Sequence, residues 1–121
     1  MKKLPLLCLF SFLSFNIIYA QRDYLEFYIE NFTGQDLYGL YVTASDENQW
    51  GDDLLPTDYF EAGDLIQVTI PIYKNTICDH DILITYGDNE EGEIIFEEID
   101  FCRLTKLVFY TKNNKIYYKV E

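Results

Sequence analysis

The sequence predicts an all-β protein, a single antiparallel β-sandwich of about seven strands held by one disulfide. Three observations carry this. Short segments of alternating apolar and polar residues recur along the chain between turn residues, and no stretch has a convincing helical period. Aromatics make up 17% of the residues, with eleven Tyr and nine Phe, a composition that suits a pleated surface better than a helix. Beyond the first twenty residues there are two cysteines, Cys78 and Cys102, and they bracket a pair of expected strands.

The first strand is Tyr24 to Glu30, where Leu25, Phe27 and Ile29 face one way and Glu26 and Glu30 the other. Residues 31–36, Asn-Phe-Thr-Gly-Gln-Asp, have turn chemistry, and Asn31-Phe32-Thr33 matches a glycosylation sequon. The second strand is Leu37 to Ala44, with Leu40, Val42 and Ala44 on one face. Gly39 inside it marks a bulge or a close approach of backbone. Ser45 to Tyr59 is a polar loop holding the one tryptophan, Trp50, with a helical turn expected near Asp52 to Leu55. Leu65 to Ile72 is the third strand, with Ile66, Val68, Ile70 and Ile72 inward. Pro71 has no amide hydrogen for a ladder, so that end belongs at an edge. The fourth and fifth strands are Cys78 to Tyr86 and Glu93 to Glu98. The last two, Leu104 to Thr111 and Ile116 to Val120, flank Lys112-Asn113-Asn114-Lys115, a hairpin signal.

Residues 1–20 read as a secretory leader and residues 21–121 as the domain. Lys2 and Lys3 open the leader, an apolar run follows from Leu4 to Ile18, and Ala20 offers a small residue for cleavage before Gln21. As a membrane anchor the run is short and lacks a basic flank after it. Cys8 comes too early in the run to be a lipid attachment site. The expectation is export, to periplasm or medium, with no membrane insertion after cleavage.

The leader removes two of nine basic residues and no acidic ones, so seven bases face twenty-one acids and the domain carries −14. Nucleic acid and anionic lipid are poor partners for such a surface; a basic protein, a cation or a neutral glycan is compatible with it, and solubility alone is the competing account. The charge is uneven. Residues 23–100 hold twenty acids and one base, whereas residues 103–119 hold five bases and no acid. That basic hairpin either lies against the acidic body or protects a sheet edge.

An oxidising compartment favours pairing Cys78 with Cys102, and closing that loop is worth about 3 kcal/mol in the chain-entropy model. Two buried thiols, or a metal held by the pair, are the alternatives.

Several pieces recur in a familiar order: Asn31-Phe32-Thr33-Gly34, Leu40 to Ser45, Trp50-Gly51-Asp52-Asp53-Leu54-Leu55, Ala62-Gly63, Cys78-Asp79-His80-Asp81-Ile82 and Phe101-Cys102. The order resembles a family of small secreted bacterial proteins of uncharacterised function over nearly the whole domain. Trp-Gly-x-Asp-x-Leu, matched by Trp50, Gly51, Asp53 and Leu55, is its most specific motif. Ala62 stands where that pattern has proline, and Gly87-Asp88 reverses its Asp-Gly turn. The resemblance implies secretion, a β fold and a cysteine pair, and it implies no catalytic residues.

The chemistry on offer is limited. His80 sits between Asp79 and Asp81, but on a strand those carboxylates point away from the ring, and one histidine cannot make a usual zinc site. No nucleophile, base and orienter can be assembled, so the domain is expected not to be an enzyme. Asp46, Asn48, Asp52 and Asp53 are candidate calcium ligands, since calcium takes six to eight oxygens from loops. The competing account has Trp50 plugging the sandwich end and Asp52 or Asp53 capping a turn. Tyr24, Tyr28, Tyr38, Tyr41, Tyr117 and Tyr118 could form an outward aromatic face. The expected interaction surface is Trp50, Tyr38, Tyr41, Asp79 and Asp81. The reading favoured is a secreted binding domain without enzymatic activity, recognising a basic protein through acidic loops. The alternative is a calcium-stabilised module built on the Asp46–Asp53 loop.

Overall fold

A computed structural model describes residues 24–73 and 75–121. The expected leader lies outside them. Seven strands follow in order: β1 (Tyr24–Phe32), β2 (Leu37–Ala44), β3 (Leu65–Pro71), β4 (Asp79–Tyr86), β5 (Gly92–Asp100), β6 (Lys106–Lys112) and β7 (Lys115–Val120). They form a four-stranded sheet, β3-β1-β6-β7, and a three-stranded sheet, β2-β4-β5. The sandwich is the expected one. One pair departs from the antiparallel rule: β1 and β6 run parallel, Ile29 beside Leu107 and Asn31 beside Phe109. The chain crosses to β2, returns for β3 beside β1, crosses again for β4 and β5, and comes back as β6 on the other side of β1 in the same direction.

Alternation along the strands fills the space between the sheets. Leu25, Phe27 and Ile29 of β1, Val68 and Ile70 of β3, and Leu107 and Phe109 of β6 meet Leu40 of β2 and Ile82 and Ile84 of β4 in one core. Pro71 ends β3, which is an edge strand, as a residue without an amide hydrogen requires. The other edge of that sheet is β7, carrying Lys115 and Lys119. The hairpin thus supplies a lysine-bearing edge, and it also lies against acid: Lys106 reaches Glu30 of β1 at 2.6 Å. That bond to Glu30 raises the Lys106 pKa above the ordinary lysine value.

Cys78 and Cys102 are joined, with sulfurs 2.05 Å apart and Cα atoms 5.3 Å apart. The bond ties the entry of β4 to the end of β5, and both residues are exposed. It is therefore neither a pair of buried thiols nor a thiolate metal site.

Asn31 explains the Asn-x-Thr-Gly turn. Its side chain is completely buried. Nδ2 donates to the carbonyls of Gln35 and Phe60, both at 3.0 Å. Oδ1 accepts from the Thr33 amide at 3.0 Å and the Thr33 hydroxyl at 2.6 Å. The sequon is thus a structural corner, closed to an enzyme that needs a free asparagine. Asn31→Ala removes four hydrogen bonds at a buried corner and leaves the Thr33 amide without its acceptor. It is expected to cost about 3 kcal/mol, read as a lower midpoint in denaturant unfolding.

Candidate functional site

The site is built around a defect in β2. Leu37 pairs with Tyr86 and Gly39 with Thr85, so two steps along β2 answer one along β4. This bulge resets the period-two alternation. Leu37 and Leu40 both face the core, and Tyr38 and Tyr41, three residues apart, both face outward. Only glycine fits at position 39. A Cβ there would lie 2.6 Å from Thr85 Oγ1 and 2.9 Å from the Tyr41 ring.

The free edge of β2 is covered by the loop that follows it. Leu54 donates its amide to the Leu40 carbonyl at 2.8 Å. The Asp53 carboxylate accepts from the amides of Leu40 and Leu55, both at 3.1 Å. Further along, Leu37 and Phe60 exchange both backbone bonds. The helical turn expected at Asp52 to Leu55 is absent; the carboxylate clasp and the bond to the Leu40 carbonyl hold that segment against β2 without regular structure. Trp50 does not plug the sandwich. It is half-buried outside the core, and Leu54 and Leu55 pack there in its place.

The bulge, the loop and the turn after β4 enclose a cleft of about 700 Å³ lined by Tyr38, Tyr41, Asp53, Asp58 and the Gly87–Glu90 turn. Asp88 and Glu90 of that turn join Asp53 and Asp58, giving four carboxylates around two phenol rings. Glu90 is held by the Thr85 hydroxyl at 2.9 Å. Burial raises the Tyr41 pKa, and the negative charges of Asp53 and Glu90 raise it further. Tyr41 is therefore a neutral hydrogen-bond donor through the physiological range.

Sequence reasoning named Tyr38, Tyr41 and Asp53 but not Asp58, Asp88 or Glu90. The glycine within β2 was the available signal for the paired tyrosines. Nothing local reveals that the turn after β4 meets the loop after β2.

Other expected site residues fall elsewhere. Asp81 is a structural ligand: its carboxylate accepts from the Ser45 hydroxyl at 2.7 Å and the Glu98 amide at 2.9 Å. The second bond serves a bulge in β5, where the ladder passes from His80–Ile99 to Ile82–Phe96 and Glu98 adopts a φ of 57°. Asp79 is exposed beside Asp100 at the far end of that sheet, remote in register from Tyr38. The six tyrosines do not share a face. Tyr24, Tyr28 and Tyr117 stand on the four-stranded sheet, Tyr38 and Tyr41 on the other, and Tyr118 packs against the core beside Phe96.

The expected calcium ligands do not converge. Asp53 lines the cleft just described, whereas its neighbour Asp52 lines a different cavity. Asp46 and Asn48 are exposed in the intervening loop. Among the described residues one trio of potential ligand atoms lies within 4.8 Å, Cys78, Asp100 and Cys102, and its two sulfurs are bonded to each other. No helix among the described residues is long and apolar enough to cross a membrane.

Comparison with protein-family models, with curated proteins and with solved structures finds no match.

The raised Tyr41 pKa ties stability to pH. The folded chain keeps this proton at a pH where the unfolded chain has begun to lose its own. The stability it contributes is present below the usual tyrosine pKa and is lost as the pH climbs through the folded value. In a spectroscopic titration of phenolate, Tyr41→Phe is expected to remove a step above the ordinary tyrosine range, and Asp53→Asn to lower that step. A titration unchanged by Tyr41→Phe contradicts the assignment.

Proposed function

We propose that this chain is an exported interaction domain, not an enzyme, and that it captures a basic side chain of a partner protein in the Tyr38–Tyr41 cleft. Membership of the small secreted bacterial family that its motifs resemble belongs to the same reading. The observation that supports it most is the convergence of two tyrosines and four carboxylates on one concave surface. A guanidinium or ammonium group fits that chemistry: phenol faces attract a cation through the ring quadrupole, and carboxylates take its N–H bonds. The domain's net −14 speeds the encounter with a positively charged partner.

Two features further favour recognition over reaction. The cleft holds no nucleophile beside a base, and its Asp53 carboxylate is committed to two backbone amides. Thr85 and the bulge at Gly39 also keep Glu90 and Tyr41 in place before a partner arrives, which reduces the ordering cost of binding.

The test is capture of partners from the exported protein fraction by the immobilised domain. A basic protein is expected to be retained at low salt and released as the Debye length falls to about 3 Å near 1 M salt. Tyr41→Ala with Asp58→Asn is expected to weaken the complex about tenfold or more, since stacking and a charged hydrogen bond are lost. Retention that ignores both salt and these substitutions contradicts the reading.

A further inference from the structure

A second cavity, of about 380 Å³, opens between the two sheets where β2 and β3 end. Its volume equals about a dozen waters at about 30 Å³ each, within the range of about 300–1,000 Å³ usual for small-molecule sites. Val42, Leu54, Ile70 and Pro71 give it apolar walls drawn from both sheets and the covering loop. His80 lines it too, and is only 4% exposed.

The histidine is oriented. Its ring stacks on Phe101, with centroids 4.7 Å apart and planes 14° apart. Nδ1 lies 2.9 Å from the Cys78 carbonyl. A carbonyl can only accept, so Nδ1 carries a proton, and the singly protonated ring in this tautomer presents a lone pair at Nε2. Nε2 has no hydrogen-bond partner among the described residues, yet it is not sealed from solvent. A ring buried against a largely apolar cavity, with an acceptor left to solvent, can offer that acceptor to a ligand's donor. Glu47 and Asp52 line the same cavity, which makes a cationic donor the best match.

We propose that this cavity binds a small amphipathic amine, its apolar body between Val42, Leu54 and Ile70 and its ammonium bonded to His80 Nε2 near Glu47 and Asp52. This site is separate from the acidic cleft around Tyr38. A ligand here bridges the sheets at the end opposite the Asn31 corner, where β3 runs out at Pro71.

The test is an amide NMR titration of the protein with 2-phenylethylamine, beside 2-phenylethanol and phenylacetate. The amine is expected to give saturable shifts at Val42, Ala44 and His80. The alcohol should bind more weakly and the acid not at all. His80→Phe keeps an aromatic ring against Phe101 but offers no acceptor, and should weaken the amine about tenfold or more. Should that variant fail to fold, Ala44→Phe provides the same decision, because it fills the cavity from a half-buried position and should abolish the shifts. Tyr38→Ala should leave them unchanged, which separates this site from the acidic cleft. No saturable shift with the amine, equal binding of phenylacetate, or undiminished binding by Ala44→Phe each overturns the inference.

Discussion

The arrangement depends on one carboxylate. Asp53 bonds the amides of Leu40 and Leu55 and so fastens a fifteen-residue loop to the only bulged stretch of β2. Without it β2 would present a bare edge, which is an invitation to pair with another chain. With it the edge is covered, Leu54 and Leu55 reach the core, and Asp58 is carried round to face Tyr38 and Tyr41. The same clasp sends Asp52 to the opposite side, into the cavity of His80. Two concave sites thus share a single wall. This gives the Trp-Gly-x-Asp-x-Leu motif a physical meaning in its aspartate and leucine, while the tryptophan stays at the periphery.

Much of the fold was legible in the residues because period-two alternation is a local signal. Leu25, Phe27 and Ile29 lie inward as their spacing says, and Val68 and Ile70 do the same in β3. Pro71 marked an edge and Gly39 a bulge, each because it lacks something a regular strand supplies. The pairing of β1 with β6 was not legible. Parallel neighbours separated by most of the chain leave no mark in either segment, and the excess of alternating strands favoured antiparallel hairpins throughout. Acidic residues were the hardest to place. Asp81, Asp53 and Asp79 look alike in sequence, yet the first serves the bulge at Glu98, the second clasps a loop, and the third is solvated. What distinguishes them is which backbone amides are left over from ladders, and that is known only once the strands are in register.

The charge distribution has a matching logic. Bases gather on β6 and β7, so the edge of the four-stranded sheet is guarded by lysine while Lys106 neutralises Glu30 within the sheet. Most of the remaining acids lie on β4, β5 and the loops, with Glu26 and Glu30 on β1. Disulfide closure between Cys78 and Cys102 fixes the spacing of β4 and β5 at their outer end and keeps Phe101 stacked under His80. The floor of the inter-sheet cavity is therefore set by a covalent bond and its rim by a carboxylate clasp. The acidic cleft rests on a different support, the glycine that lets Thr85 approach β2.

Amide hydrogen exchange tests the clasp most directly. Leu40, Leu54 and Leu55 are the amides that the loop and β2 exchange through Asp53 and the Leu40 carbonyl. They should exchange as slowly as the central amides of β4 and become fast together in Asp53→Ala. Rapid exchange of all three in the unmodified protein, at the rate of an open loop, would contradict the clasp and with it the shape of both sites.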